Sequence, residues 1–218
     1  STTNSCMTKL AESTGKYVTK LLTEELDERY LYHNLRHTQR VVQSTKELLE
    51  HHELDPGRAE EVILAAWLHD TGYTAGSQDH ETKSCEIARK FLGGKDLDED
   101  RIERVCELIE ATRRFYTPKN LAEKILRDAD SSHLSQKSYR ETAELLREEL
   151  SLLGLAEYTP EEWRETNIKM FRAEHQYYTQ YALENWQEGK DDNIRRLVKD
   201  KKKRRKMAKK EKLKAYYK

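Results

Sequence analysis

The stretch VILAAWLHD (62–70) decides the fold. Its first seven residues are apolar all round, so a helix over roughly 58–70 has no face to give to water and must be covered by other helices. It ends in His69 and Asp70, two ionisable groups placed where the most apolar helix of the chain runs out. A buried imidazole and carboxylate need compensating partners, because an unpaired buried charge is costly. A divalent cation is one such partner. Imidazole with carboxylate is a mixed donor set that suits Zn, Mn or Fe, and carboxylate with water suits Mg.

Outward from this centre, apolar residues recur at intervals of three and four. The spacing predicts helices over roughly 5–29, 36–53, 80–93, 98–114, 118–133, 136–153 and 160–187. The breaks fall at DPG (55–57), GSQD (76–79), Gly93-Gly94 and Thr159-Pro160. No period-two alternation persists and no internal repeat occurs, so an all-α bundle is expected. His37 lies four residues before Val41, and His80 four before Ser84. Each therefore shares the buried face of its own helix and points to the same interior as His69 and Asp70.

Of the 218 residues, 36% are hydrophobic and 37% charged, which leaves one core carried on single helix faces. The formal net charge of zero hides a division. Residues 199–218 hold 12 Lys/Arg against 2 Asp/Glu, and the remainder is acidic by the same margin. We therefore expect a globular unit over 1–188 and a basic tail, helical or disordered, over 189–218. The tail lacks the aromatic interleaving of a nucleic-acid stacking platform, and an anionic membrane surface suits it better. Cys6, Cys85 and Cys106 form no CxxC pair, and their odd number speaks against a disulfide framework. A cytoplasmic setting is expected, with the tail available to the inner face of the membrane; no run of 18 apolar residues occurs.

Four clusters carry the chemistry: YHNLRH (32–37), His69-Asp70, His80-Glu81 and Asp128-Ala129-Asp130. Asp128 and Asp130 diverge by about 200° on a helix, so only one faces the others, and periodicity does not choose between them. His175, Tyr177, Tyr178 and Tyr181 read as packing residues.

The order H…HD…D on successive helices resembles the HD superfamily of metal-dependent phosphohydrolases. YHNLRH is similar to the YHNxxH segment of class I cyclic-nucleotide phosphodiesterases. AAWLHDTGY, HETKSCEIARKFL and ILRDAD resemble bacterial HD proteins associated with cyclic-pyrimidine (Pycsar) anti-phage effectors. The resemblance implies that His37, His69, Asp70, His80 and a late Asp hold one or two divalent ions. The family pattern puts that ligand directly after an Ala, which selects Asp130. It implies that His33 is the general acid, with Asp70 and Glu81 also in the catalytic group. Arg36, Lys83 and Arg113 are candidate contacts for substrate phosphate, since cationic side chains match it. Two features depart from the phosphodiesterase pattern: Thr71-Gly72-Tyr73 follows the HD pair in place of His-Pro-Gly, and the closing segment is DADSSH. The expected substrate is a small nucleotide, with a cyclic nucleotide favoured. An alarmone, or a nucleotide-sensing module that signals through the tail, remains as an alternative.

Overall fold

A computed structural model describes residues 8–218. Cys6 and the expected start of the first helix at residue 5 lie outside them. Among the described residues the chain is helical throughout: α1 Lys9–Glu25, α2 Leu35–Glu50, α3 Pro56–Leu68, α4 His80–Gly93, α5 Glu99–Glu110, α6 Leu121–Asp130, α7 Tyr139–Leu152, α8 Pro160–Lys169, α9 Gln180–Asn185 and α10 Gln187–Tyr216, with no strand. Short 3-10 turns at Thr71–Ala75 and Ser132–Ser135 follow α3 and α6.

Helix α3 is the hub, packed against α1, α2, α4, α5 and α6. Val62, Ile63, Leu64, Ala65, Ala66 and Leu68 are all fully buried, as its apolar sequence requires. Its start is set by the DPG run: Asp55 caps the helix by accepting from Gly57 and Arg58 N–H, and Pro56 occupies the first turn, where its fixed φ and missing donor cost nothing. A second, smaller cluster of Leu134, Tyr139 and Phe171 takes in Met170, Ile194 and Leu197.

The expected single helix over 160–187 is instead interrupted. Helix α8 widens into a π turn at Met170–Glu174, and the backbone is extended at His175 before α9 begins. The reason is a buried polar demand from elsewhere. The Asp128 carboxylate, 1% exposed, accepts from Tyr178 N (3.0 Å), Thr179 N (2.8 Å) and Thr179 Oγ1 (2.7 Å). Backbone N–H groups donated to Asp128 are unavailable to a continuous helix. Lys190 Nζ secures the same segment by donating to the His175 carbonyl (3.0 Å), and Tyr177 OH donates to Ser131 O (3.0 Å).

Helix α10 runs across the expected boundary at 188/189 without a break. Lys190 and Asn193 are buried, Asn193 donating to the carbonyls of Leu134 and Gln136, and residues 202–218 are exposed. No helix is long and apolar enough to cross a membrane among the described residues.

One close approach fixes the geometry near the HD pair. A Cβ added at Gly72 would lie 2.0 Å from the His80 carbonyl oxygen and 2.8 Å from Ser84 N, so the 3-10 turn and α4 meet backbone to backbone. Ser84 Oγ completes the joint, donating to His69 O and accepting from Gly72 N, both at 2.8 Å. Gly72→Ala is expected to lower unfolding free energy by about 1–3 kcal/mol, the range for overpacking. Urea denaturation measures this, and an unchanged midpoint would mean the turn yields freely.

Candidate metal centre and its surroundings

The site is built from helix ends. Asn34 starts α2 in two directions: its side-chain oxygen accepts from Arg36 and His37 N–H, and its amide donates to the carbonyls of Tyr30 and Leu31. That cap places His37 in the first turn, buried. Asp130 arrives from the last turn of α6, His69 and Asp70 from the end of α3, and His80 from the first turn of α4.

These side chains converge on Asp70. Its Oδ2 lies 3.2 Å from His37 Nε2 and 3.3 Å from His69 Nε2, whereas Oδ1 lies 3.2 Å from His80 Nε2. Asp130 Oδ1 is 3.1 Å from His37 Nε2 and 3.3 Å from His69 Nε2. The two oxygens of Asp70 thus face two sets of potential metal donors: His37, His69 and Asp130 on one side, His80 on the other. His37, His69 and Asp70 by themselves bring three donor atoms within 4.8 Å of one another.

The donor chemistry fits a cation. His69 Nδ1 donates to the Ala66 carbonyl at 2.7 Å, which leaves Nε2 as the bare nitrogen of the neutral ring. That nitrogen is buried without a hydrogen-bond partner, between two carboxylate oxygens. Three electron-rich atoms at this spacing repel unless positive charge sits among them. Protons are the alternative charge. Burial disfavours the charged form of His37 and His69, but Asp70 and Asp130 outweigh it and hold both imidazoles above the usual range. Burial also opposes ionisation of Asp70 and Asp130, and the facing histidines override it, holding both carboxyls well below theirs. Arg40 donates to His37 Nδ1 (2.8 Å), so the neutral ring carries its proton on Nε2 and ligation through that atom displaces it.

His33 stands beside the cluster, its Nδ1 2.6 Å from Glu149 Oε2. Glu149 is buried in α7, and its other oxygen accepts from Tyr32 N and His33 N, both at 2.9 Å. Burial pushes the Glu149 carboxyl up, but its bonds to His33 and Tyr32 prevail and hold it below the usual carboxylate range. Tyr73 is sandwiched between His33 (ring centroids 4.5 Å) and His80 (4.0 Å). Glu81 Oε1 lies 3.4 Å from His80 Nδ1.

The three candidate phosphate contacts are placed differently. Arg36 is exposed at the rim of a 450 Å³ cavity lined also by Tyr32, His37 and Arg40. Lys83 donates to the Ala75 carbonyl (3.1 Å). Arg113 is engaged by Asp79 (3.0 Å), Glu81 (3.5 Å) and Glu110, so its guanidinium braces α4 against the end of α5. Asp128 is turned out of the cluster toward residues 178–179, and Asp130 is turned in. His175, held neutral by burial with its pKa pushed down to about 3, contacts Ser131 Oγ at 2.9 Å. Tyr177 packs edge-on against Trp186. Glu149, Arg40 and Tyr73 carry no mark in the sequence that separates them as site residues. Glu149 lies in the charged run REEL (147–150), where nothing marks it off from its neighbours.

Because protons and metal compete for the same imidazoles, the raised pKa values make the apparent metal affinity weaken as pH falls, by about tenfold per pH unit for each proton displaced. Calorimetric Mn titrations at pH 6.0, 7.0 and 8.0 in buffers of different ionisation enthalpy measure this. Affinity independent of pH, with no proton released, contradicts the assignment. A bound ion at one hundred times its Kd also adds about 2.7 kcal/mol to stability, so EDTA is expected to lower the melting temperature of the loaded protein.

No curated protein and no solved structure matches the chain. One family model does match, the HD domain, over residues 34–135. That interval starts at the Asn34 cap and ends with the Ser132–Ser135 turn, enclosing His37, His69, Asp70, His80 and Asp130 and leaving out His33 and Glu149. Residues 34–135 therefore form an HD domain, a family whose members are typically metal-dependent hydrolases.

Proposed function

We propose that this protein hydrolyses a phosphoester of a small nucleotide, a cyclic nucleotide being the favoured substrate, using divalent ions held by His37, His69, Asp70, His80 and Asp130. The single observation that carries the reading is the division of Asp70, with one oxygen toward His37 and His69 and the other toward His80. The chemistry supplied by divalent ions in such a centre is polarisation of the phosphoryl oxygens and acidification of water to near neutrality.

The chain's own residues do the rest. His33 has Nδ1 committed to Glu149, so Nε2 is the nitrogen left to give a proton to the departing ester oxygen as water adds to phosphorus and the P–O bond breaks. Glu149 holds that ring in orientation. Tyr73 fixes the ring from its face. His80 is oriented by Glu81 and by the same tyrosine. Asp130, with 28% of its side chain exposed, is the most open of the proposed ligands, and it lines a 170 Å³ cavity with Arg114 and Arg127 through which a phosphoester approaches. The preference for a cyclic nucleotide rests on YHNLRH.

His33→Ala is expected to lower kcat on nucleotide substrates by about 10²–10⁴-fold with metal content unchanged. The loss should shrink sharply on bis-p-nitrophenyl phosphate, whose leaving group needs no proton. An equal loss on both would remove the general-acid role. Asp70→Ala should abolish both metal content and turnover. A panel of cyclic purine and pyrimidine nucleotides and guanosine tetraphosphate then assigns the substrate. Metal bound by the wild type without cleavage of any diester or nucleotide would favour a nucleotide sensor over an enzyme.

A further inference from the structure

A second cavity lies away from the metal centre, between α7, α8 and the root of the exposed stretch of α10. It has a volume of about 530 Å³, and its lining divides by chemistry. One part is apolar: Trp163, Leu197 and Met207. Trp163 Nε1 already donates to the Ala143 carbonyl (3.0 Å), so the ring has no unmet polar demand and offers its surface for packing. Met207 is 48% exposed although it faces this cavity.

The other part is cationic. Arg140, Arg164, Lys203 and Arg204 line the cavity against two carboxylates, Glu144 and Asp200. Both carboxylates are already used: Asp200 pairs with Arg140, and Glu144 pairs with Arg147. Among the described residues Arg164, Lys203 and Arg204 form no ion pair or hydrogen bond, and Arg164 acts on Glu165 only at longer range. Four cations face two carboxylates around this apolar cavity, and with both carboxylates paired the positive charge is in excess. An anion between them relieves this, and guanidinium groups are shaped for phosphate oxygens.

We propose that this cleft is a binding site for a phosphate-bearing amphiphilic ligand. Its phosphate meets Arg164, Lys203 and Arg204, and its ring or chain lies against Trp163, Leu197 and Met207. A soluble nucleotide and a phospholipid headgroup share this chemistry. One wall of the cleft, α7, also carries Glu149, the residue on His33.

The test uses the full chain with Asp70→Ala, which takes the metal centre out of the measurement. Adenosine monophosphate and, separately, monomeric dihexanoyl phosphatidylglycerol are titrated while tryptophan fluorescence and calorimetric stoichiometry are followed. The expected result is one saturable site per chain for at least one of them. Trp163→Phe should remove the fluorescence change. The triple variant Arg164→Ala, Lys203→Ala, Arg204→Ala should weaken binding by at least about tenfold, and its circular dichroism should stay unchanged because all three side chains reach the surface. Binding of the nucleotide alone assigns a soluble ligand, and binding of the lipid alone assigns a headgroup; both support the site. No saturable binding by either ligand overturns it. So does binding that the triple variant leaves intact, which would place lipid on the remaining basic residues beyond Arg204.

Discussion

One carboxylate, Asp70, organises the molecule around the need for positive charge. It is buried at the end of the most apolar helix, and three imidazoles reach it, His37 from α2, His69 from the end of α3 and His80 from α4, the first two also facing Asp130 of α6. Water solvation is unavailable there, so Asp70 must be matched by protons or by metal. The surrounding helices can be seen as the frame that brings the matching groups within 3.1–3.3 Å. The apolar hub gives that frame its rigidity. α3 touches five other helices along its length, and its C-terminal end is where the polar groups gather.

A second requirement follows from the first. Groups that serve a charged centre must themselves be held, or their rotamer freedom would blur the site. Backbone carbonyls and caps do this cheaply. The Ala66 carbonyl fixes the His69 tautomer, and Asn34 fixes the first turn of α2. Glu149 fixes His33 from a helix that begins more than a hundred residues later in the chain. At α2 the orphan N–H groups of a helix start thus find a side-chain acceptor at the point where His37 is mounted.

This division explains how much was legible in the sequence. Helices α2, α4 and α5 were legible because their buried positions repeat at helical spacing within one segment, and the chemical clusters because they sit on those periodic faces. The break at 170–179 was not legible. Its cause is Asp128, some fifty residues away, whose carboxylate captures the N–H groups of Tyr178 and Thr179. Local pattern carries no record of such a bond. Likewise Asp128 and Asp130 are equivalent by composition, and only the packing of α6 sends one to the metal cluster and the other to residues 178–179. Glu149 and Arg40 stay hidden for the same reason: each is one charge among many on an exposed-looking helix, made special by a partner distant in sequence or by burial that the three-dimensional arrangement alone creates.

The stack of His33, Tyr73 and His80 carries the argument one step further. His33 belongs to the chain before α2 and His80 to α4, yet one ring, Tyr73, lies against both. Tyr73 follows Gly72, whose backbone is in contact with that of His80. A shift of α4 therefore moves Tyr73 and, with it, the face on which His33 rests. The proposed proton donor and the ligand on the far side of Asp70 are mechanically one unit. That coupling accounts for a feature the HD pair alone does not explain: why Thr71-Gly72-Tyr73 is folded into a tight 3-10 turn directly after His69 and Asp70, buried at all three positions, when a loose surface loop would have sufficed to connect α3 to α4.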